Sequence, residues 1–111
     1  MYKFHRKKGP RKLFMQILAH NLIVNGRMET TVVRAQAIRP VVERLLTTAK
    51  KQNLASLRTL QAKLPKVSAN KLYYELAPKY KERKGGYLRI IKSGVHRRRD
   101  GVQKATVEFV S

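Results

Sequence analysis

The chain has no cysteine and only 6 acidic residues in 111. Without cysteine there are no disulfides and no thiolate metal sites, a composition that suits a reducing compartment. No run of about 18 apolar residues occurs, so no membrane-spanning helix is expected. The longest approach to one, Leu13 to Val24, is interrupted by Gln16, His20 and Asn21. Internal repeats and low-complexity linkers are also missing. The acids Glu29, Glu43, Glu75, Glu82, Asp100 and Glu108 are scattered, and no two are spaced for acid–base work. His5, His20 and His96 lie far apart, with no carboxylate at ligand spacing. An enzyme needs a convergent set of such groups. No catalytic residue, metal, cofactor or small-molecule substrate is therefore expected. His20 reads as part of a polar helix face. Gly85-Gly86 reads as a tight turn needing positive φ, because it lacks any phosphate-loop spacing and precedes a strand instead of a helix.

What the chain does have is positive charge: 26 Lys and Arg, a formal net of +20. Self-repulsion of that size works against a compact state unless an anion neutralises it. The surplus is clustered. The first stretch holds Lys3, Arg6, Lys7, Lys8, Arg11 and Lys12 and no acid. The second holds Lys79, Lys81, Arg83, Lys84, Arg89, Lys92, Arg97, Arg98 and Arg99 against Glu82 alone. A solvated face normally mixes signs, and these stretches do not. Each cation that meets a phosphate releases a condensed counterion, so a nucleic acid is the expected partner. His5 and His96, set among these cations, join them as candidate phosphate or base contacts. Aromatic residues lie in or near the same regions. Tyr2, Phe4, Tyr74 and Tyr80 are candidates for stacking on unpaired bases, whereas Tyr73 and Tyr87 read as core. Lys50, Lys51, Arg58 and Lys63 suggest a weaker third face. Arg34, Arg39 and Arg44 are spread around their helix by a five-residue step and form no patch.

Hydrophobic residues make up 42% of the chain, enough for one modest core. Residues 1–9 show no amphipathic period and read as an extended basic arm, with residues 10–111 as a single domain. An acid-free N-terminus also suits an organellar transit peptide, but the Gly9-Pro10 break leads straight into a helix, as a binding arm would. Pro10 suits the first turn of that helix. Leu13, Phe14, Ile17, Leu18 and Leu22 give its apolar spacing, and Gly26 ends it. A brief strand follows over 27–31, and Thr31 caps the next helix. Ile38, Val41, Val42, Leu45, Leu46 and Ala49 form a single apolar stripe on it. Pro40 should kink or split this helix near Arg39. Asn53 caps a third helix carrying Leu54, Leu57, Leu60 and Leu64. Ser68 is placed to cap a fourth, which ends before Pro78. Residues 80–84 read as an irregular turn and 87–92 as a strand. Residues 93–101 read as a basic loop. A last strand over 104–110 has Ala105, Val107 and Phe109 inward. The sum is a two-layer α+β fold of order α-β-α-α-α-β-β, with a small mixed three-stranded sheet packed on helices and a basic N-terminal arm. The last two strands should form an antiparallel hairpin.

No helix-turn-helix, zinc-finger or basic-zipper spacing is present, and no aromatic RNP sheet motif. A basic arm and loop on a small α+β body suit folded RNA, whose grooves and junctions a flexible segment can thread. The sequence also resembles a known family, the bacterial large-subunit ribosomal protein L-seventeen family. The resemblance covers nearly the whole chain. It rests on Glu29-Thr30-Thr31, Arg34-Ala35 and Arg39-Pro40, then on Leu45-Leu46-Thr47 and Ala49-Lys50-Lys51. It continues through Leu76-Ala77-Pro78, Tyr80, Arg83 and Gly85-Gly86-Tyr87-Leu88-Arg89-Ile90, and closes on Asp100-Gly101 and Val107-Glu108-Phe109.

The resemblance implies a structural constituent of the large ribosomal subunit without catalytic activity, bound to large-subunit ribosomal RNA and touching neighbouring ribosomal proteins. It implies a cytoplasmic ribonucleoprotein and the same element order. The family carries a His-Arg-Lys run into RNA, and His5-Arg6-Lys7-Lys8 with Arg11-Lys12 occupy that region here. This chain starts a few residues later than the family usually does, so contacts of that tip are not carried over. The short N-terminus points to a bacterial instead of an organellar version. No homo-oligomer is expected. Two other readings make different demands: a DNA-compacting architectural protein should bind random duplex and self-associate, and a cationic membrane-active protein should bind vesicles through its first helix.

Overall fold

In a computed structural model the backbone is described for residues 8–96 and 101–110, and side chains for 12–94 and 101–110. Helix α1 spans Lys8–Asn25, strand β1 Arg27–Thr31, helix α2 Val32–Ala49 and helix α3 Leu54–Lys63. A continuous helical run follows: α4 (Lys66–Lys71), a π-helical turn (Leu72–Leu76) and α5 (Ala77–Lys79). Strands β2 (Leu88–His96) and β3 (Gln103–Phe109) complete the chain. The α+β class and the element order agree with expectation. Both strand pairings are antiparallel, with β3 between β1 and β2, so the sheet is not a mixed one. Strands β2 and β3 pair antiparallel, as expected of the last two strands.

Helix α2 is the centre of the packing. It touches all three strands on one side, and α1, α3 and the π turn elsewhere. Its expected stripe is the core: Ile38, Val42, Leu46 and Ala49 are fully buried, Leu45 nearly so, and Val41 packs against them. The Thr31 Oγ1 accepts from the Arg34 N–H at 3.2 Å, so the last residue of β1 caps α2 with no linker between them. Pro40 does not split the helix, which runs unbroken over 18 residues. Proline removes the hydrogen bond to the Gln36 carbonyl. Both residues are exposed.

Helix α1 starts at Lys8, two residues before Pro10, and is rotated part-way from the expected orientation: of the expected set, Leu22 is buried and Phe14 and Leu18 pack against the core. Its buried face is Met15, Ala19, Leu22 and Ile23, while Leu13 and Ile17 are about half exposed. The helix is apolar over a wide arc, and both sets satisfy the i, i+4 spacing, so periodicity alone did not fix its facing. Gly26 ends it at φ +80°, donating to the Leu22 carbonyl at 2.8 Å. The Lys71 ammonium donates to the Val24 carbonyl at 2.7 Å, placing a cation at the negative end of the helix dipole.

The helical run after Pro65 departs most from expectation. Ser68 does not cap it; the run begins at Lys66, and Ser68 is buried with its hydroxyl donating to the Pro65 carbonyl at 3.1 Å. Nor does it end before Pro78. The Ala77 N–H bonds to the Leu72 carbonyl, five residues back. In that register the Tyr73 carbonyl would be served by residue 78, which is proline and has no N–H. Gln52 fills the gap. Its side-chain amide donates to the Tyr73 carbonyl and to the Ala49 carbonyl, each at 2.8 Å. Gln52 itself is left-handed, with φ 52°, in the tight connection before the Asn53 cap. There the Ser56 N–H donates to Asn53 Oδ1 at 2.7 Å, and the Asn53 N–H to Ser56 Oγ at 3.3 Å.

Strand β2 is longer than expected. It runs to His96 across an irregularity between Lys92 and His96, where Gly94 adopts φ +76° and the Ser93 hydroxyl donates to the Lys104 carbonyl at 3.1 Å. Residues 93–96 therefore belong to the hairpin and not to a loop. Phe109 is half-buried, and Ala105 and Val107 fully buried, as the alternation predicts.

Replacing Leu46 with Ala should cost about 2–5 kcal/mol, read from urea unfolding; a change under about 1 kcal/mol would place the stripe outside the core. Gln52→Met keeps the side-chain length but removes the amide bridge. It should cost about 1 kcal/mol, and a variant as stable as the parent would mean the bridge carries nothing.

Candidate nucleic-acid interface

The second cationic stretch is mounted on a braced turn. Tyr80, expected in an irregular segment and as a candidate for base stacking, is instead buried. Its ring meets Tyr87 edge-on at 5.6 Å and stacks with Phe109 at 6.3 Å. Its hydroxyl donates to the Val110 carbonyl, and the Val110 N–H donates to the Tyr87 carbonyl at 2.8 Å. Tyr87 is buried, as expected of a core residue. Its backbone N–H donates to Glu43 Oε2 on α2 at 2.9 Å, and its hydroxyl donates to the Arg83 carbonyl at 3.2 Å. The Lys50 ammonium donates to the same Arg83 carbonyl and to the Tyr87 hydroxyl, and lies 4.9 Å from the Tyr87 ring centroid. Gly85 and Gly86 take φ +114° and +63°, the tight turn that their pairing predicts. The Arg83 Nε donates to the Gly86 carbonyl at 3.1 Å.

The consequence is a fixed platform. Lys79, Lys81, Arg83 and Lys84 are all exposed on it, and Lys79 lies 5.5 Å from the Tyr80 ring centroid. Arg89 and Lys92 continue the exposed cations along β2. Arg89 is already paired: its Nε lies 2.7 Å from Glu108 Oε1 on the facing residue of β3. Lys50 is an internal brace and not part of a third face. Tyr73 is half-buried and meets the exposed Tyr74 edge-on at 4.8 Å.

The remaining expected contacts divide in two. Lys3, His5, Arg6, Lys7, Arg97, Arg98 and Arg99 lie outside the described residues, as do Tyr2 and Phe4. Lys8 and Arg11 have their backbone in the first turns of α1, and His96 has its backbone at the end of β2. Lys12 is exposed on α1 but belongs to a different surface from the turn.

That surface is a groove of about 510 Å³ between α1, α2 and the end of α3. Met15, Ala19, Val41, Leu45 and Leu64 give it an aliphatic floor, and Gln16 and Thr48 stand in its walls. Lys12, Arg44 and Lys63 also line it, and no acid does among the described residues. The sequence denied Arg44 a patch and put Lys63 with Lys50. Helix packing brings both beside Lys12 instead, and no periodicity within one helix could have shown that. His20 is not the polar-face residue expected: it is half-buried, and its Nδ1 is shielded with no hydrogen-bond partner among the described residues.

Among the described residues no group of His, Cys, Asp or Glu could hold a metal ion, and no helix is long and apolar enough to cross a membrane. A small α+β body with exposed cations on a braced turn defines the class: a small basic α+β protein. The chain belongs to the family described as Ribosomal protein L17, whose model matches residues 14–110. It is 49% identical to "Large ribosomal subunit protein bL17" of Persephonella marina, over 96% of this chain and 88% of that protein. It is 47% identical to the protein of the same name from a Sulfurihydrogenibium species, over 96% and 89%. The Staphylococcus carnosus protein of that name is 40% identical, over 97% of both chains. This is a ribosomal protein family and not a family of enzymes.

Burial pushes the Tyr80 phenol above its ordinary value, and the nearby Arg83 guanidinium pulls it partly back. The neutral phenol is thus favoured by folding. That contribution is intact below about pH 10, the unfolded value, and is lost as the pH rises through the higher folded value. Tyr80→Phe should cost about 1 kcal/mol at neutral pH by removing the bond to Val110 and should flatten the fall of stability above about pH 10. An identical alkaline limb in both proteins would show that Tyr80 does not titrate with unfolding.

Proposed function

We propose that this protein is a structural constituent of the bacterial large ribosomal subunit that binds and stabilises large-subunit ribosomal RNA. It works in the cytoplasm beside neighbouring ribosomal proteins. The names of its relatives support the assembly. The observation that carries the RNA contact is the braced turn, where Lys79, Lys81, Arg83 and Lys84 are exposed on a backbone held by Tyr80, Tyr87, Lys50 and Glu43. Phosphates meeting cations on a pre-ordered backbone bind without the full entropy cost of ordering it. Lys12, Arg89, Lys92 and His96 extend the interface across the body. The arm, with Lys3, His5, Arg6 and Lys7, the first turns of α1, with Lys8 and Arg11, and the C-terminal basic segment, with Arg97, Arg98 and Arg99, neutralise phosphates that would otherwise repel.

The test is the salt dependence of binding to deproteinised large-subunit RNA. Changing Arg97, Arg98 and Arg99 together to Gln should weaken binding. It should also make the log–log salt slope shallower by about 0.7–0.9 for each phosphate that is no longer neutralised. An unchanged slope removes the C-terminal segment from the interface. Equal affinity for random duplex DNA, with self-association, favours a DNA-compacting protein instead.

A further inference from the structure

We infer that the groove between α1, α2 and α3 receives an unpaired nucleotide of the bound RNA, its base on the aliphatic floor and its flanking phosphates on the cationic rim. The inference rests on the RNA-binding reading above and assigns it a second, chemically different subsite. Phosphate alone does not explain the groove. Met15, Val41, Leu45 and Leu64 offer nothing to an anion, and a backbone contact would be served better by a polar surface. An apolar group must come with the charge.

A nucleotide brings both, with a fixed anion on each side of a flat, largely apolar ring. Lys12, Arg44 and Lys63 stand on three different helices around the floor, all exposed and with no carboxylate among the lining residues. That arrangement suits phosphates entering and leaving the groove. Gln16 and Thr48 supply what a purely apolar anchor would not need. The Gln16 amide can both donate and accept. The Thr48 hydroxyl donates to the Arg44 carbonyl at 3.1 Å and keeps its lone pairs for a base N–H. Bases displaced from a stack are commonly held between apolar side chains and read along their edge in this way. An acidic peptide segment from a neighbouring protein would match the charge and could use Gln16 and Thr48 through its backbone; the RNA-binding reading favours the nucleotide, and capture of a protein in the test below is the peptide's outcome.

The test uses the full chain, expressed in a bacterium in place of its own relative, with Gln16→p-benzoylphenylalanine at the groove wall. The same replacement at Leu13, exposed on α1 outside the groove, is the control. Large subunits are irradiated and isolated, and the captured component is mapped. The inference expects a cross-link from position 16, and none at that site from position 13, to ribosomal RNA at a nucleotide outside the paired helices. Capture of a protein, capture of a base-paired nucleotide, or a chain that enters the subunit without cross-linking each overturns it. In binding to deproteinised RNA, the variant with Lys12, Arg44 and Lys63 all changed to Gln should show a log–log salt slope shallower by about 2; an unchanged slope also overturns the inference. A parent chain that neither enters the subunit nor binds RNA would instead sink the functional reading itself. A chain that binds normally but shows no groove cross-link sinks only the inference.

Discussion

Charge repulsion governs how this fold can be held together. With 26 cations and 6 acids, ion pairing cannot neutralise the chain, so each carboxylate has to be placed where it serves most. Glu108 lies in register with Arg27 on one side and Arg89 on the other, at the centre of the sheet, and pairs with Arg89. Glu29 lies 3.7 Å from Lys104 across the β1–β3 pair. Such exposed pairs are each worth little. Glu43 does more, because one oxygen receives the Tyr87 N–H while the other lies 3.5 Å from the Arg39 Nε. It bridges the central helix to the backbone just after the glycine pair. Where no acid is available, backbone carbonyls take the positive charge: Val24 for Lys71, and Arg83 for Lys50. Both lie at places where the chain turns, so the same cations that repel one another also pin the ends of elements.

The π turn solves a related problem. Pro78 would normally end a helix at the preceding residue. One extra residue in the turn moves the proline's missing donor opposite the Tyr73 carbonyl, and Gln52 supplies the absent hydrogen. The run therefore continues far enough to bury Tyr80 under Tyr87 and Phe109. Without that continuation the aromatic brace would not form, and the cationic turn after it would be an ordinary loose loop. A glutamine in a left-handed backbone position, far away in sequence, thus acts on the rigidity of the basic platform.

What could be read in advance follows from how local each feature is. The α2 stripe from Ile38 to Ala49, the Thr31 and Asn53 caps and the Gly26 stop all depend on side chains within a turn of one another, and all appear as their spacing implies. The facing of α1 was legible only in part: Phe14, Leu18 and Leu22 face the core as expected, but Leu13 and Ile17 compete with Met15 and Ala19 on spacing alone and only the partner helices decide. Ser68 has the chemistry of a cap, but burial uses its hydroxyl to satisfy the Pro65 carbonyl. The bulge that lengthens β2 needs Gly94, whose left-handed φ reads in sequence as loop. Of the candidate interface, the cationic stretch around the turn was visible as composition. The groove was not: Lys12, Arg44 and Lys63 meet only through the packing of three helices.

On the proposed reading, the two surfaces divide the work of holding a folded polyanion. Cations on the braced turn supply attraction that any phosphate chain would feel, with steep salt dependence and little discrimination. A groove with an aliphatic floor rewards a partner only where a base is already unstacked, which is a property of RNA shape. Register on the RNA would then come from the groove and affinity from the turn and the flanking basic segments. The coupling also runs back to the protein. Phosphates that neutralise the platform remove repulsion that opposes folding, so the bound state stabilises the very backbone that presents the cations. On that reading a chain this positive is stabilised by its partner through mass action, and a pre-ordered presentation of charge limits the ordering entropy that binding must overcome.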